Sequence, residues 1–292
     1  MKKLSIFAMA LAAMLFTSCG GNKGTQEAEQ ADTLKTFEQE QIEAKIKMEL
    51  DSLASEVGKL KQLPFLQTGE NGITLTEQEK QVKPEYLLDP AIADNAATLA
   101  EKYRVLTALQ VDKEIAKLYE MSVDDYDKAI TKLLADINDP SFKAIEDSNT
   151  LFETSTTLYD AMEQNGRINY FWQIGAAALV EQLYDAMNEN NRINYFWQMA
   201  GASLVEEIYV MTENSDKFLS AFDDESTENI TYRVVLLTDA INRLAEYDSE
   251  LAPVVDAVSA LEPLNAISVD ELKAQLAEAK EKITEARNNL IK

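Results

Sequence analysis

Two stretches of the chain carry side chains of the kind that recognise ligands, and the second repeats the first. Asn169 and Gln173 stand four apart, a spacing that sets both amides on one face of a helix, with Arg167, Tyr170 and Trp172 close by. At a displacement of 25 residues the same types return as Arg192, Asn194, Tyr195, Trp197 and Gln198. Amides and aromatic rings in this pattern suit two uses. They can close a hydrogen-bonded network that sets helix register inside a core, because a buried amide left unpaired costs about 1 to 3 kcal/mol. They can also line a groove for a small ligand, a glycan or a peptide. The two arginines fit either reading: each can sit beside the last turn of an antiparallel neighbour, where a cation is favoured, or contact a carboxylate.

Other reactive constellations are missing by composition. The chain has no His, and its single Cys is Cys19, so it offers no imidazole base, no Cys/His zinc site and no internal disulfide. Its 51 acidic residues face 27 basic ones, a net charge of -24 that repels nucleic acid. The acidic runs Asp136-Ile-Asn-Asp139 and Asp223-Asp-Glu-Ser-Thr-Glu228 lack the glycine and the ligand spacing of a calcium loop, and read as solvated loops. No GxSxG, GxGxxG or P-loop pattern occurs, and no pair of carboxylates stands out. The expectation is a protein with no catalytic residues, no metal and no cofactor.

The elements that must position the repeated residues are helices. Of nine glycines, six lie at or before Gly72, too few in the remainder for the turns of a β-rich domain. Residues 158–182 match residues 183–207 without a gap at 17 of 25 positions, which marks a tandem duplication. Each unit reads as one helix of about 20 residues plus a turn, so the pair is expected to form an antiparallel αα-hairpin. Its helices, Ile168 to Met187 and Ile193 to Thr212, would cross near Ala177 and Ala202, where small residues allow close approach. The segments 168–180 and 193–205 are uncharged and apolar on nearly every side, the mark of central helices. Around them, Ile46, Leu50, Leu53, Val57 and Leu60 predict a helix over residues 33–63 that Pro64 stops. Thr76 with Glu79, Ser122 with Asp125 and Ser268 with Glu271 have the spacing of helix starts, and Pro84, Pro90, Pro140, Pro253 and Pro263 fall between periodic stretches. The predicted fold class is all-α, an antiparallel bundle of eight to ten helices without significant strands.

The N-terminus carries an address. Lys2 and Lys3 precede an apolar run from Leu4 to Phe16, of signal-peptide length and too short to cross a bilayer. Phe16-Thr17-Ser18-Cys19-Gly20 then resembles the lipobox of bacterial lipoproteins, with Phe16 where Leu is commonest. The resemblance covers only about the first 20 residues, and it implies lipidation of Cys19 and membrane anchoring by several acyl chains, which hold stably where a single chain exchanges. Residues 20–31, GGNKGTQEAEQA, have no large apolar side chain and read as a tether. The organisation expected is a signal peptide over 1–18, a tether over 19–31 from lipidated Cys19, and one helical domain over 32–292. The expected place is the bacterial cell envelope, at the outer membrane. The expected function is structural or partner-binding and non-catalytic, with the membrane, an envelope protein or a small ligand as partner and no nucleic acid; a ligand receptor built on the repeat is the alternative.

Overall fold

Thr76 and Thr98 start helices by the same chemistry. Each side chain accepts the backbone N–H three residues on, and the glutamate there accepts the threonine's own N–H, so two otherwise orphaned donors are satisfied. These reciprocal caps open α1 (Glu77–Lys80) and α2 (Leu99–Leu118) in the computed structural model, which describes residues 73–142, 193–246 and 248–292 and the isolated helical positions Met48, Tyr184 and Met187. Residues 1–31, the bulk of the helix predicted over 33–63, the first repeat copy and so the hairpin lie outside the described residues. Six more helices follow: α3 (Asp124–Ile137), α4 (Ile193–Glu213), α5 (Ser215–Phe218), α6 (Asp224–Ala245), α7 (Ala252–Ser259) and α8 (Val269–Leu290). Among the described residues there is no strand, and the helices pack on one another as an all-α bundle.

Two of the predicted starts need adjustment. Ser268 caps α8 by accepting the Glu271 N–H, but the Glu271 carboxylate accepts the N–H of Ile267 at 3.1 Å, one residue before the cap. At α3 the cap position is Val123, with no side-chain hydrogen bond; Ser122 lies one residue too early and accepts only the Asp124 N–H at 3.4 Å. Asp124, Asp125 and Asp127 compensate by placing negative charge on the positive end of that helix.

The ends are equally local. Helix α2 closes with paired bonds from Met121 N–H to Ala116 C=O and from Glu120 N–H to Lys117 C=O, which require a left-handed residue between them. Glu120 takes that conformation at φ 53°, and Asn138 does the same after α3 at φ 46°. A side chain in the left-handed region costs about 1 to 2 kcal/mol at Glu120. Its carboxylate meets the Lys80 ammonium at 2.6 Å, joining α1 to the end of α2. Pro90 opens the 3-10 turn Pro90–Asp94, and Pro253 sits at the start of α7, where the missing N–H removes no helical bond.

Burial separates central from peripheral helices. Helix α4 is buried almost continuously from Val205 to Met211, and α2 from Tyr103 to Leu109, so these two form the middle of the bundle. The others are amphipathic. In α8 the buried positions are Leu272, Leu276, Ala279, Ile283, Ala286, Arg287 and Leu290, and in α3 they are Tyr126, Ala129, Leu133 and Ile137. Helix α4 packs against α2, α8, α7 and α6. Its small residues lie against α7 and α6. A Cβ on Gly201 would lie 2.2 Å from Val254 Cγ1 of α7 and 3.0 Å from Ile241 Cδ1 of α6, and Ala202 beside it is buried.

Candidate functional site

Helix α4 brings its polar side chains into the bundle at two levels. At the first, Gln198 is fully buried with both ends of its amide occupied. Its Oε1 accepts from Nη1 of Arg104 on α2 at 2.9 Å, and its Nε2 donates to the Glu250 carbonyl at 2.7 Å. Arg104 also donates through Nε to the carbonyl of Leu290 at the end of α8, again at 2.9 Å. The guanidinium is therefore held by an amide oxygen and by a carbonyl at the negative end of a helix. Burial pulls Arg104 below the usual guanidinium range, against the opposing pull of Glu101 and Glu250.

Around Gln198 the rest of the second copy forms an aromatic floor. Trp197 is 1% exposed and meets Phe196 edge to face at 5.1 Å; Phe196 in turn meets Tyr184 at 5.3 Å and 85°. Among the described residues, the Trp197 indole N–H has no hydrogen-bond partner. Tyr195 stacks on Tyr103 of α2 at 4.6 Å, and the Tyr103 hydroxyl donates to Asp139, whose other oxygen accepts the Ser141 N–H. Arg167, Asn169, Tyr170, Trp172, Gln173 and Arg192 lie outside the described residues, and Asn194 is placed only as part of the helix backbone. Of the residues singled out by sequence, Tyr195 and Gln198 thus meet α2, and Trp197 and Gln198 are enclosed.

The second level is absent from the sequence-based expectations. Two turns further along α4, Glu206 is 1% exposed and takes a forked contact from Arg287 of α8, with Nη2 at 2.8 Å from Oε1 and Nε at 2.9 Å from Oε2. Asp112 of α2, fully buried, adjoins this pair. Its Oδ2 lies 3.7 Å from Arg287 Nη2 and accepts the Leu88 N–H at 2.6 Å, while Oδ1 has no hydrogen-bond partner. The Arg287 guanidinium also lies over the ring of Tyr209 at 4.5 Å from its centroid. Burial and the Glu206 carboxylate push Asp112 well above the usual carboxylate range, against the Leu88 N–H and Arg287. Burial also raises Glu206, although Arg287 opposes it. Desolvation pulls Arg287 down, but Glu206 and Asp112 outweigh it and hold the guanidinium above its ordinary value.

A signal for this cluster was present in the sequence. Asp112 occupies the apolar register that runs Val105, Ala108, Leu109, Asp112, Ile115, Ala116, and Arg287 occupies the one that runs Leu276, Ala279, Ile283, Arg287, Leu290. A charge in the buried register of an amphipathic helix must find a partner.

The cluster has the parts of an acid–base site but lies wholly within the junction of α2, α4 and α8. An open groove of about 790 Å³ does run along α8, lined by Lys280, Glu281, Thr284 and Asn288 among others, and none of the residues named above belongs to it. The acidic runs take local structural roles: Asp139 as described, and Asp223 as the cap of α6, accepting the Ser226 N–H at 2.8 Å. Among the described residues no group of three or more His, Cys, Asp or Glu side chains is arranged to hold a metal ion, and no helix is long and apolar enough to cross a membrane. No protein-family model, no curated protein and no solved structure matches the chain.

Proposed function

We propose that the chain is a lipid-anchored protein of the bacterial cell envelope that serves as a structural or partner-binding module and performs no chemistry. The anchor is read from the basic, apolar and Ser18-Cys19-Gly20 succession at the N-terminus. The observation that supports the scaffold reading is the engagement of both the oxygen and the nitrogen of the fully buried Gln198 amide, by Arg104 and by the Glu250 carbonyl, because an amide held at both ends inside a core sets helix register. On this reading the repeat builds a rigid centre, and partners meet the acidic outer faces of the bundle.

Anchoring is tested by Cys19→Ala, followed by fractionation of cells expressing the full-length chain. The wild type is expected in the membrane pellet and released by detergent, and the variant in the soluble fraction. A variant as membrane-bound as the wild type would overturn the anchor.

A further inference from the structure

Among the described residues, the junction of α2, α4 and α8 buries one more carboxyl group than it has cations to match. Among the described residues, the titratable and charged groups around it come from four helices and the segment before α2. Asp112 comes from α2, Glu206, Tyr209 and Glu213 from α4, Arg287 from α8, Tyr126 from α3, and Tyr86 and Asp89 from the segment before α2. The three tyrosines are raised by burial and remain neutral. Glu213 is occupied by Lys280 at 3.0 Å, outside the core. Asp89 is exposed and caps the 3-10 turn by accepting the Ala91 N–H, so what remains at the centre is two buried carboxyl groups and one guanidinium.

The geometry decides which carboxyl group is charged. Glu206 holds the forked contact with Arg287, a pairing that suits a carboxylate. Asp112 has the longer approach to Arg287, a single backbone N–H, the Glu206 carboxyl as its side-chain hydrogen-bond neighbour and, among the described residues, an Oδ1 with no hydrogen-bond partner, at zero exposure. An ionised carboxylate with an orphaned oxygen in a dry core is the costliest arrangement of the two groups, and a neutral acid there is the cheapest.

We propose that Asp112 keeps its proton at neutral pH, so that the contact between α2, α4 and α8 is locked by a proton and loosens as the pH rises. The sense follows from linkage. An acid that is harder to ionise in the folded chain than in the unfolded one stabilises the fold fully below the unfolded carboxyl range near pH 4, and this contribution is lost as the pH climbs toward the folded value. The same junction reaches the segment before α2, because Leu88 donates its N–H to Asp112 and accepts from the Tyr126 hydroxyl at 2.9 Å. Loosening therefore frees that segment together with the helices.

The test is denaturant unfolding of the full-length chain in detergent between about pH 5 and pH 8. One retained proton makes the unfolding constant rise with pH by up to about tenfold per unit. Asp112→Asn, whose amide imitates the neutral acid, is expected to flatten this dependence and to be more stable than the wild type at the alkaline end. Glu281→Gln, which changes net charge equally on the exposed side of α8, is expected to leave it unchanged. Equal slopes in the two variants would overturn the proposal. A second measurement needs no variant: with carbon-13 in the aspartate carboxyl groups, magnetic resonance of the wild type should show one aspartate still protonated at neutral pH. Finding every aspartate ionised there would overturn the proposal even if Asp112→Asn does not fold.

Discussion

The two buried polar levels of α4 are unbalanced in opposite directions. Around Gln198 a guanidinium is hydrogen-bonded by neutral acceptors; around Glu206 there are two carboxyl groups and one guanidinium. Arg104 cannot shed its charge in this range of pH, so neutral acceptors must satisfy it, and the chain supplies an amide oxygen and the carbonyl end of α8. Asp112 can shed its charge, so its surplus is removed by a proton and not by a partner. A buried cation imposes geometry on its surroundings, while a buried acid passes the imbalance to the solvent's pH.

The most forceful way to break this comparison is to remove the cation from the second level. Arg287→Met keeps much of the apolar volume but leaves Glu206 charged and unpaired, a loss of about 3 to 5 kcal/mol in denaturant melts. A much smaller loss would mean that Glu206 also takes up a proton easily and that the two levels differ less than their geometry suggests.

Gln198→Ala sharpens the contrast at the first level. It deprives Arg104 of an acceptor and the Glu250 carbonyl of a donor, so stability should fall by about 1 to 3 kcal/mol, with no change in its pH dependence. An unchanged melt would instead favour a solvated groove around the repeat and the ligand-receptor alternative.

Packing at the same helix gives effects of similar size, falling to the smallest at its exposed control. Gly201→Ala drives a methyl group into Val254 and should cost about 1 to 3 kcal/mol, as should Ala202→Leu beside it. Ala277→Leu on the exposed face of α8 should change stability by less than about 0.5 kcal/mol. Equal thermal shifts at positions 201 and 277 would show that the small residues of α4 are not there for close packing.

Much of this organisation could be read from residue order. Scarcity of glycine, the 3.6-residue spacing of apolar side chains and the threonine–glutamate caps are local facts, and local facts specify helices because helical hydrogen bonds close within four residues. The uncharged character of 193–205 likewise marked α4 as central, since such a helix has no face to show to water. The start of α3 was misplaced because Ser122 and Asp125 have the right spacing in a place where the chain turns one residue later.

Partner choice lay beyond the sequence. The buried amide was legible at Gln198, but linear order cannot say that its acceptor oxygen would meet Arg104 of α2 and its donor the Glu250 carbonyl, 94 and 52 residues away. Nor does it bring Asp112, Glu206 and Arg287 together, since no spacing rule links three different helices. Each of those charges looks ordinary in a chain with 51 acidic and 27 basic residues. Only the packing of α2, α4 and α8 removes water from all three at once, and it is that shared desolvation that turns unremarkable surface residue types into a coupled acid, carboxylate and guanidinium.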